Sequence, residues 1–351
     1  MEYFTDRVPG RTIFVNKQEY LYFGGTSYLG IQSDSGFKKL LLKNITSYGI
    51  HHGASRISNL QLSVYDEAEQ HLATWAGSPA ALTVSSGFLA GQLVCSHFNN
   101  EAHRIFTAPN AHTAITSPNQ KQYRSLGKLT DALNSHVSGK NPAIPVLFMD
   151  SIDLSGNTYP DYRILNSLPL KQVILVADDS HGLGILGDQG AGAYRMLARL
   201  ALKELLICGS LGKALGLQGG VVFGSSERIN KLRESSFFAG ASPPSPALMA
   251  TMVEARPIYA DKRTSLLVNV ALFEKECKYL HRFSHLQGYP VYGFNDSALT
   301  SRLSDSGIFV TDFQYPSVQN GALPGRIVLS AHHTEQDIRH LAGQINAYFH
   351  I

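Results

Sequence analysis

Lys213 follows the apolar run Glu204-Leu205-Leu206-Ile207-Cys208 and is flanked by Gly212 and Ala214. That setting places an amine in a tight, weakly polar bend, where desolvation lowers a lysine pKa and favours imine formation with an aldehyde. Asp178 closes the run Val173-Ile174-Leu175-Val176-Ala177 and offers a carboxylate for a protonated ring nitrogen. His181 lies three residues further, in reach of a ring oxygen, and His112 supplies a flat plate against a ring face. Ser86-Gly87-Phe88 opens a helix that ends near His97, and the free amides and dipole of a helix start suit a phosphate. An amine, a carboxylate, an aromatic plate and a phosphate cradle are together what pyridoxal 5'-phosphate (PLP) requires. Taken singly, each has a plainer explanation: a loop lysine, a strand-end aspartate, a packing histidine, a common Ser-Gly helix start.

The elements that must position these residues alternate along the chain. Apolar runs at Ala81–Val84, Arg104–Thr107, Val146–Asp150, Val173–Ala177, Leu205–Cys208 and Val221–Phe223 are separated by helix-length stretches such as Phe88–His97 and Glu227–Glu234. Alternation of this kind predicts an α/β fold with a mainly parallel sheet sandwiched by helices. Ligands of such sheets collect at the carboxyl ends of strands. That rule picks out Ser85-Ser86-Gly87, Asn110-Ala111-His112, Asp150, Asp178-Asp179-Ser180-His181 and Ser210-Leu211-Gly212-Lys213, and the stretch from Asp178 to Lys213 leaves room for one crossover between neighbouring strands.

Around this body the sequence suggests three parts: an aromatic, turn-rich N-terminal arm over 1–36, a large PLP-binding domain over 37–255 and a smaller α+β domain over 256–351. Within the large part, about Leu60 to Ala76 reads as a partly buried helix ended by Gly77, and a helix follows around Leu248–Ile258. In the smaller part, Ile308–Phe313 and Arg326–Ser330 read as strands, and Thr334 with Asp337 gives the last helix a capping-box-like start.

Length and composition narrow the role. The chain has 351 residues, more than the roughly 100–200 of one domain, with room for a buried cofactor site. Thirty basic against 27 acidic residues leave a net charge of +3, too small for a nucleic-acid binder. Three scattered cysteines, Cys95, Cys208 and Cys277, fit a reducing cytoplasm, and neither a signal core nor a membrane-length apolar run is seen. The adjacent pairs His51-His52 and His332-His333 diverge, so no metal site is expected. Gly182-Leu183-Gly184-Ile185-Leu186-Gly187 matches the dinucleotide pattern GxGxxG, but Asp188-Gln189-Gly190-Ala191-Gly192 continues as a loop where the crossover helix should start.

In their order, the residues resemble the α-oxoamine synthases, PLP enzymes of fold type I. The likeness runs through Tyr28-Leu29-Gly30, Tyr48-Gly49, Ser55-Arg56, Ser86-Gly87-Phe88, His112, Asp178-Asp179-Ser180-His181-Gly182, Gly187-Gly190-Gly192, Ser210-Leu211-Gly212-Lys213-Ala214-Leu215-Gly216, Gly219-Gly220 and Arg326 before His333-Thr334. It implies a large domain with a smaller C-terminal one, Lys213 as the cofactor lysine, Asp178 at the pyridinium nitrogen, His181 at the 3'-oxygen and His112 on the ring. It also implies phosphate contacts from Gly87, Phe88 and Ser210, with Ser242 reaching the phosphate of a partner subunit in a homodimer whose site lies at the interface. Arg326 would clamp the amino-acid carboxylate as a bidentate fork, and Ser27, in place of an asparagine, would face the substrate. The implied reaction joins an amino acid, L-alanine in the biotin-synthesis branch it resembles most, to an acyl thioester, pimeloyl-CoA or pimeloyl carrier protein, with loss of CO2. Glycine-using acyl transfer of the glycine C-acetyltransferase kind and transamination stand open beside it, as does, in another class, a NAD-binding dehydrogenase. Ser180 replaces a small alanine, Leu60 and Tyr65 stand where glycine and histidine are usual, and Met149 to Asp153 lacks a Glu…Ser pair; these differences leave the cofactor residues in place and bear on the acyl-donor side.

Overall fold

The computed structural model describes residues 3–116, 122–154, 159–312 and 325–350. Among them are the strands β1 (Thr12–Val15), β2 (Gln18–Phe23), β3 (Ala80–Val84), β4 (His103–Thr107), β5 (Ile144–Asp150), β6 (Ile174–Asp178), β7 (Glu204–Ser210), β8 (Gly220–Gly224), β9 (Ser284–His285), β10 (Val291–Phe294), β11 (Ile308–Asp312) and β12 (Gly325–Val328). One six-stranded sheet has the order β3-β8-β7-β6-β5-β4. Strands β4 to β7 pair in parallel, whereas β8 is antiparallel to both neighbours.

Burial on both faces explains the unbroken apolar runs. Leu147, Leu175 and Ile207 face one core cluster, while Val146, Phe148, Val176 and Leu206 face another beneath the helix Gly87–Phe98. Alternate residues of one strand thereby fill two cores, as a sheet covered on both sides requires. The register sets Asp150 beside Asp178, and Asp178 beside Cys208, so the strand ends that carry polar residues form one edge.

The second sheet has the order β1-β2-β11-β12-β10-β9. The opening segment, expected as an arm, is woven into it: β2 pairs in parallel with β11, and Arg11 Nε and Nη2 grip the Asp337 carboxylate at 2.7 and 2.8 Å. Its turn residues hid two short strands whose partner lies near the other end of the chain. Asp337 also completes the expected capping box with Thr334 at the start of the last helix, Glu335–Phe349. The helix expected around 248–258 is in fact two, Pro246–Glu254 and Arg256–Glu276, which break at Ala255; Pro257 starts the second, as proline does at a first turn. Phe313, the end of the expected strand 308–313, lies outside the described residues.

A buried ion pair locks the approach to the large sheet. Arg56 Nη1 and Nη2 each donate to Glu69 Oε1 at 3.0 Å, and that oxygen also accepts from the Thr83 amide and hydroxyl at 2.8 Å, with the Arg56 and Glu69 side chains 3% and 5% exposed. Ser55-Arg56, matched to the family motif, therefore does structural work. Removing one partner strands the other charge without solvent, so Glu69→Ala is expected to lower the unfolding free energy by about 3–5 kcal/mol, read from urea midpoints.

His333 sets a pH dependence. It stacks on Phe23 with ring centroids 4.0 Å apart, donates from Nε2 to the Tyr22 carbonyl at 2.9 Å and accepts the Ser330 amide at Nδ1. Burial, the largest cause, pulls its pKa from 6.5 down to about 4. A histidine depressed in the folded state takes its proton first when unfolded, so its stabilisation is complete above about 6.5 and is lost as the pH falls towards 4. His333→Gln is expected to flatten the slope of stability against pH across that window, measured by denaturant unfolding at stepped pH.

Candidate active site

The carboxyl edge of the large sheet opens on a cavity of about 510 Å³. Strands β3 to β7 deliver side chains to it from their ends or from the loops that follow, which is where an α/β sheet leaves room for a ligand. Ser86, Gly87 and Phe88 come after β3, His112 after β4, Asp178, Ser180 and His181 from the end of β6, and Ser210 and Lys213 from the end of β7. Arg326, on β12 of the second sheet, closes the opposite wall with Val291, Thr311 and Val328.

Lys213 is the hub. Its Nζ lies 2.7 Å from His181 Nε2, whose ring is held from the other side by Tyr28 Oη at 2.8 Å from Nδ1. Tyr289 Oη donates to the His181 carbonyl, so two buried phenols fix this histidine. Burial lowers the Lys213 pKa below its ordinary value, against the opposing pull of Asp178 and Asp150. Burial, followed by the neighbouring Lys213 and Arg326 charges, holds His181 well below the usual imidazole range. The imidazole is thus kept neutral beside an amine whose proton is weakly held.

Asp178 is 6% exposed and accepts the Ser180 amide at Oδ1, 2.9 Å away. The Ser180 hydroxyl in turn accepts the Ser210 amide at 2.8 Å, so the replacement of alanine at this position adds one rung between the ends of β6 and β7. His112 Nδ1 accepts the Ala114 amide, and the His112 amide donates to Asp150 Oδ2 at 2.9 Å. The Asp150 carboxyl is raised well above its ordinary value by burial first and by Asp178 next. Asp179 points away from the cavity. It takes the Ser151 hydroxyl and the Ala193 amide, and burial pushes it up to about 7.

The phosphate end is a built cradle. Ser86 caps the helix Gly87–Phe98 by accepting the Leu89 amide. A Cβ on Gly87 would sit 2.5 Å from Ser210 Cβ and 2.6 Å from Ser210 Cα, so only glycine lets the helix start meet β7 this closely. At the other end of the cavity, Arg326 Nε is buried and has no hydrogen-bond partner among the described residues. An orphaned guanidinium nitrogen beside a cavity is a ready site for a carboxylate. An amine, a carboxylate, a cradle and an unpaired arginine converge, and these residues fit PLP with an amino acid beside it.

Of the residues singled out in the sequence, Ser86, Gly87, Phe88, His112, Asp178, His181, Ser210, Lys213 and Arg326 all line this cavity, whereas Ser27 and Ser242 do not. Ser27 uses its backbone carbonyl to accept Ser330 Oγ, while Gly25, Thr26 and Tyr28 around it reach the wall. Ser242 is exposed on the surface of this chain. Sequence reasoning missed the roles of Tyr28 and Tyr289; the signal for Tyr28 was its place in the Tyr-Leu-Gly motif, and Tyr289 carried none. The glycine run Gly182–Gly187 packs as a turn around Asp179 and presents no helix start to a cavity. Among the described residues no group of three or more His, Cys, Asp or Glu could hold a metal, and no helix is long and apolar enough to cross a membrane.

A model of the family described as aminotransferase class I and II matches residues 159–345. The 8-amino-7-oxononanoate synthase of Buchnera aphidicola subsp. Baizongia pistaciae is 29% identical, with 95% of this chain and 90% of that protein aligned. That of Azoarcus sp. (strain BH72) is 27% identical, over 96% of this chain and 90% of that protein. Among solved structures, serine palmitoyltransferase from S. paucimobilis, with PLP bound, superposes with a TM-score of 0.82 at 17% identity, covering 99% of this chain and 92% of that one. The 8-amino-7-oxononanoate synthase of Francisella tularensis superposes with a TM-score of 0.70 at 20% identity, covering 95% of this chain and 99% of that one. The fold is that of these fold-type-I proteins, as the family resemblance implied, and its α/β class is the one the alternating runs predicted.

Proposed function

The chain belongs to the aminotransferase class I and II family, and on that premise we propose that it is a PLP-dependent acyltransferase that joins L-alanine to a pimeloyl thioester, releasing CO2 and forming 8-amino-7-oxononanoate. The convergence of Lys213, Asp178, His181 and Arg326 on one cavity carries the reading. Nearly full-length similarity to proteins of that activity supports it.

When bound, PLP supplies an aldehyde that takes up amines and a ring that withdraws the electron pair left when a proton or CO2 departs. Lys213 would hold it through Nζ, the Gly87 and Phe88 amides would meet its phosphate together with Ser210, Asp178 its ring nitrogen and His112 its ring face. The amino-acid carboxylate meets Arg326, whose buried Nε lacks a partner of its own. Lys213 would also serve as the base: burial lowers its pKa, which suits Nζ to take the α-proton of the substrate. His181 keeps that amine aimed, because its own ring is clamped by Tyr28 and stays neutral. Asp178 stays fixed by the Ser180 amide and would offer its carboxyl group to the ring nitrogen.

A homodimer completes the reading. The segment around Ser55 is tied to Ala239 and Tyr65 to Pro244, and here Ile57, Leu60 and Phe237 are exposed, as are Ile50 nearby and Phe88 at the cavity. An exposed apolar patch beside a cavity marks an interaction site, and exposed Ser242 lies in the same segment. Light scattering is expected to give twice the chain mass; a monomer at micromolar concentration would contradict it.

The test crosses L-alanine, glycine and L-serine with acetyl, pimeloyl and palmitoyl thioesters, the pimeloyl group on both CoA and carrier protein. The expected outcome is CO2 and 8-amino-7-oxononanoate from alanine with a pimeloyl donor. Stoichiometric pyridoxamine phosphate from alanine alone, with no condensation for any donor, would instead establish transamination.

A further inference from the structure

A second cavity, of about 390 Å³, lies between the helices Ser63–Ala76 and Arg256–Glu276 and the loop at Gln189. It shares no lining residue with the first. His71 and Trp75 enter it from one helix and Arg256, Tyr259 and Arg263 from the other, while Leu72, Leu215 and Met252 give it apolar sides.

The charges in this wall are one-sided. No aspartate or glutamate lines it, and Arg256 makes no ion pair among the described residues. Arg263 is anchored by donating to the carbonyls of Ile185 and Gly187 at 3.0 and 3.2 Å, and Asp188 is the acid that acts on it. His71 is held below its ordinary value by burial and then by Arg256, so it stands as a neutral imidazole beside that guanidinium. Trp75 is fixed as well. Its Nε1 donates to the Gln189 carbonyl at 3.2 Å, and Gln189 adopts a φ of 49°, a left-handed conformation that residues other than glycine hold only where their surroundings impose it.

We propose that this cavity binds a small planar organic anion, an aromatic ring bearing a carboxylate or a phosphate, with the ring on Trp75, the charge at Arg256 and the neutral His71 as a hydrogen-bonding neighbour. A guanidinium with no ion pair among the described residues attracts anions, an indole accepts a flat ring, and the volume lies in the range of small-ligand sites.

Trp75 is the chain's single tryptophan, so its fluorescence reports on this cavity, and the Arg256→Gln variant separates that signal from effects at the first cavity. Holoenzyme is titrated with adenosine 5'-monophosphate and with benzoate, and in parallel with their neutral counterparts adenosine and benzyl alcohol. At least one anion is expected to saturate with half-effect at or below about 1 mM, its neutral counterpart to bind roughly tenfold more weakly, and Arg256→Gln to weaken the anion about tenfold with an unchanged unfolding midpoint. The proposal is overturned if neither anion saturates below about 10 mM, if the neutral counterparts bind equally well, or if Arg256→Gln binds as tightly as the parent.

Discussion

Lys213→Ala is expected to lower the condensation rate by about 10³-fold or more, because proton transfer by a positioned side chain alone is worth roughly 10²–10⁴ and this amine also anchors the cofactor. The loss should fall on kcat, since Arg326 on the far wall would still be there to meet the substrate carboxylate. Folding should survive. The Nζ partner is His181, which remains clamped by Tyr28 and Tyr289, and removing a charge from a buried site relieves a desolvation cost. Added methylamine should restore part of the rate, as a small base can enter the space left by the side chain. A variant that folds, binds PLP and turns over at the parent rate would remove Lys213 from the chemistry.

Asp178→Asn is the second large effect. The proposed bond between this carboxylate and a protonated ring nitrogen would be charge-assisted and worth about 1.5–3 kcal/mol, so its neutral isostere should slow the reaction roughly ten- to a hundredfold. The asparagine oxygen can still accept the Ser180 amide, which keeps the β6 end in place and makes the effect one of charge rather than of folding. The absorption band of bound PLP should shift as the ring nitrogen loses its proton, a change that a purely structural role would not produce. Substituting Asp179 gives the contrast: it faces Ser151 and Ala193 away from the cavity, so its loss should register in stability.

The large sheet was legible because its central strands are buried on both faces, which writes them into the sequence as unbroken apolar runs. Reading the residues just past each run then found Ser86, His112, Asp178, Ser210 and Lys213, since a parallel sheet brings these ends to one edge. The second sheet was not legible in the same way. Its strand β2 pairs with β11 across most of the chain's length, and no local pattern announces a partner so distant. Val221–Phe223 read correctly as a strand, but an apolar run carries no sign of direction, and β8 proved antiparallel. Arg326 was reached only through family likeness, because an arginine on a short strand looks like any other; its orphaned Nε is visible only once the chain is folded. Gly87 illustrates the converse: the sequence shows a glycine at a helix start, and the structure shows that Ser210 leaves no room for anything larger.

The proposed chemistry depends on the amine at 213 carrying the cofactor. Borohydride reduction of the holoenzyme, followed by proteolysis and mass spectrometry, asks this directly. The expected result is a single peptide, the one containing Lys213, heavier by the mass of reduced phosphopyridoxyl. A label on another lysine, or none in a preparation that retains PLP and activity, would contradict it.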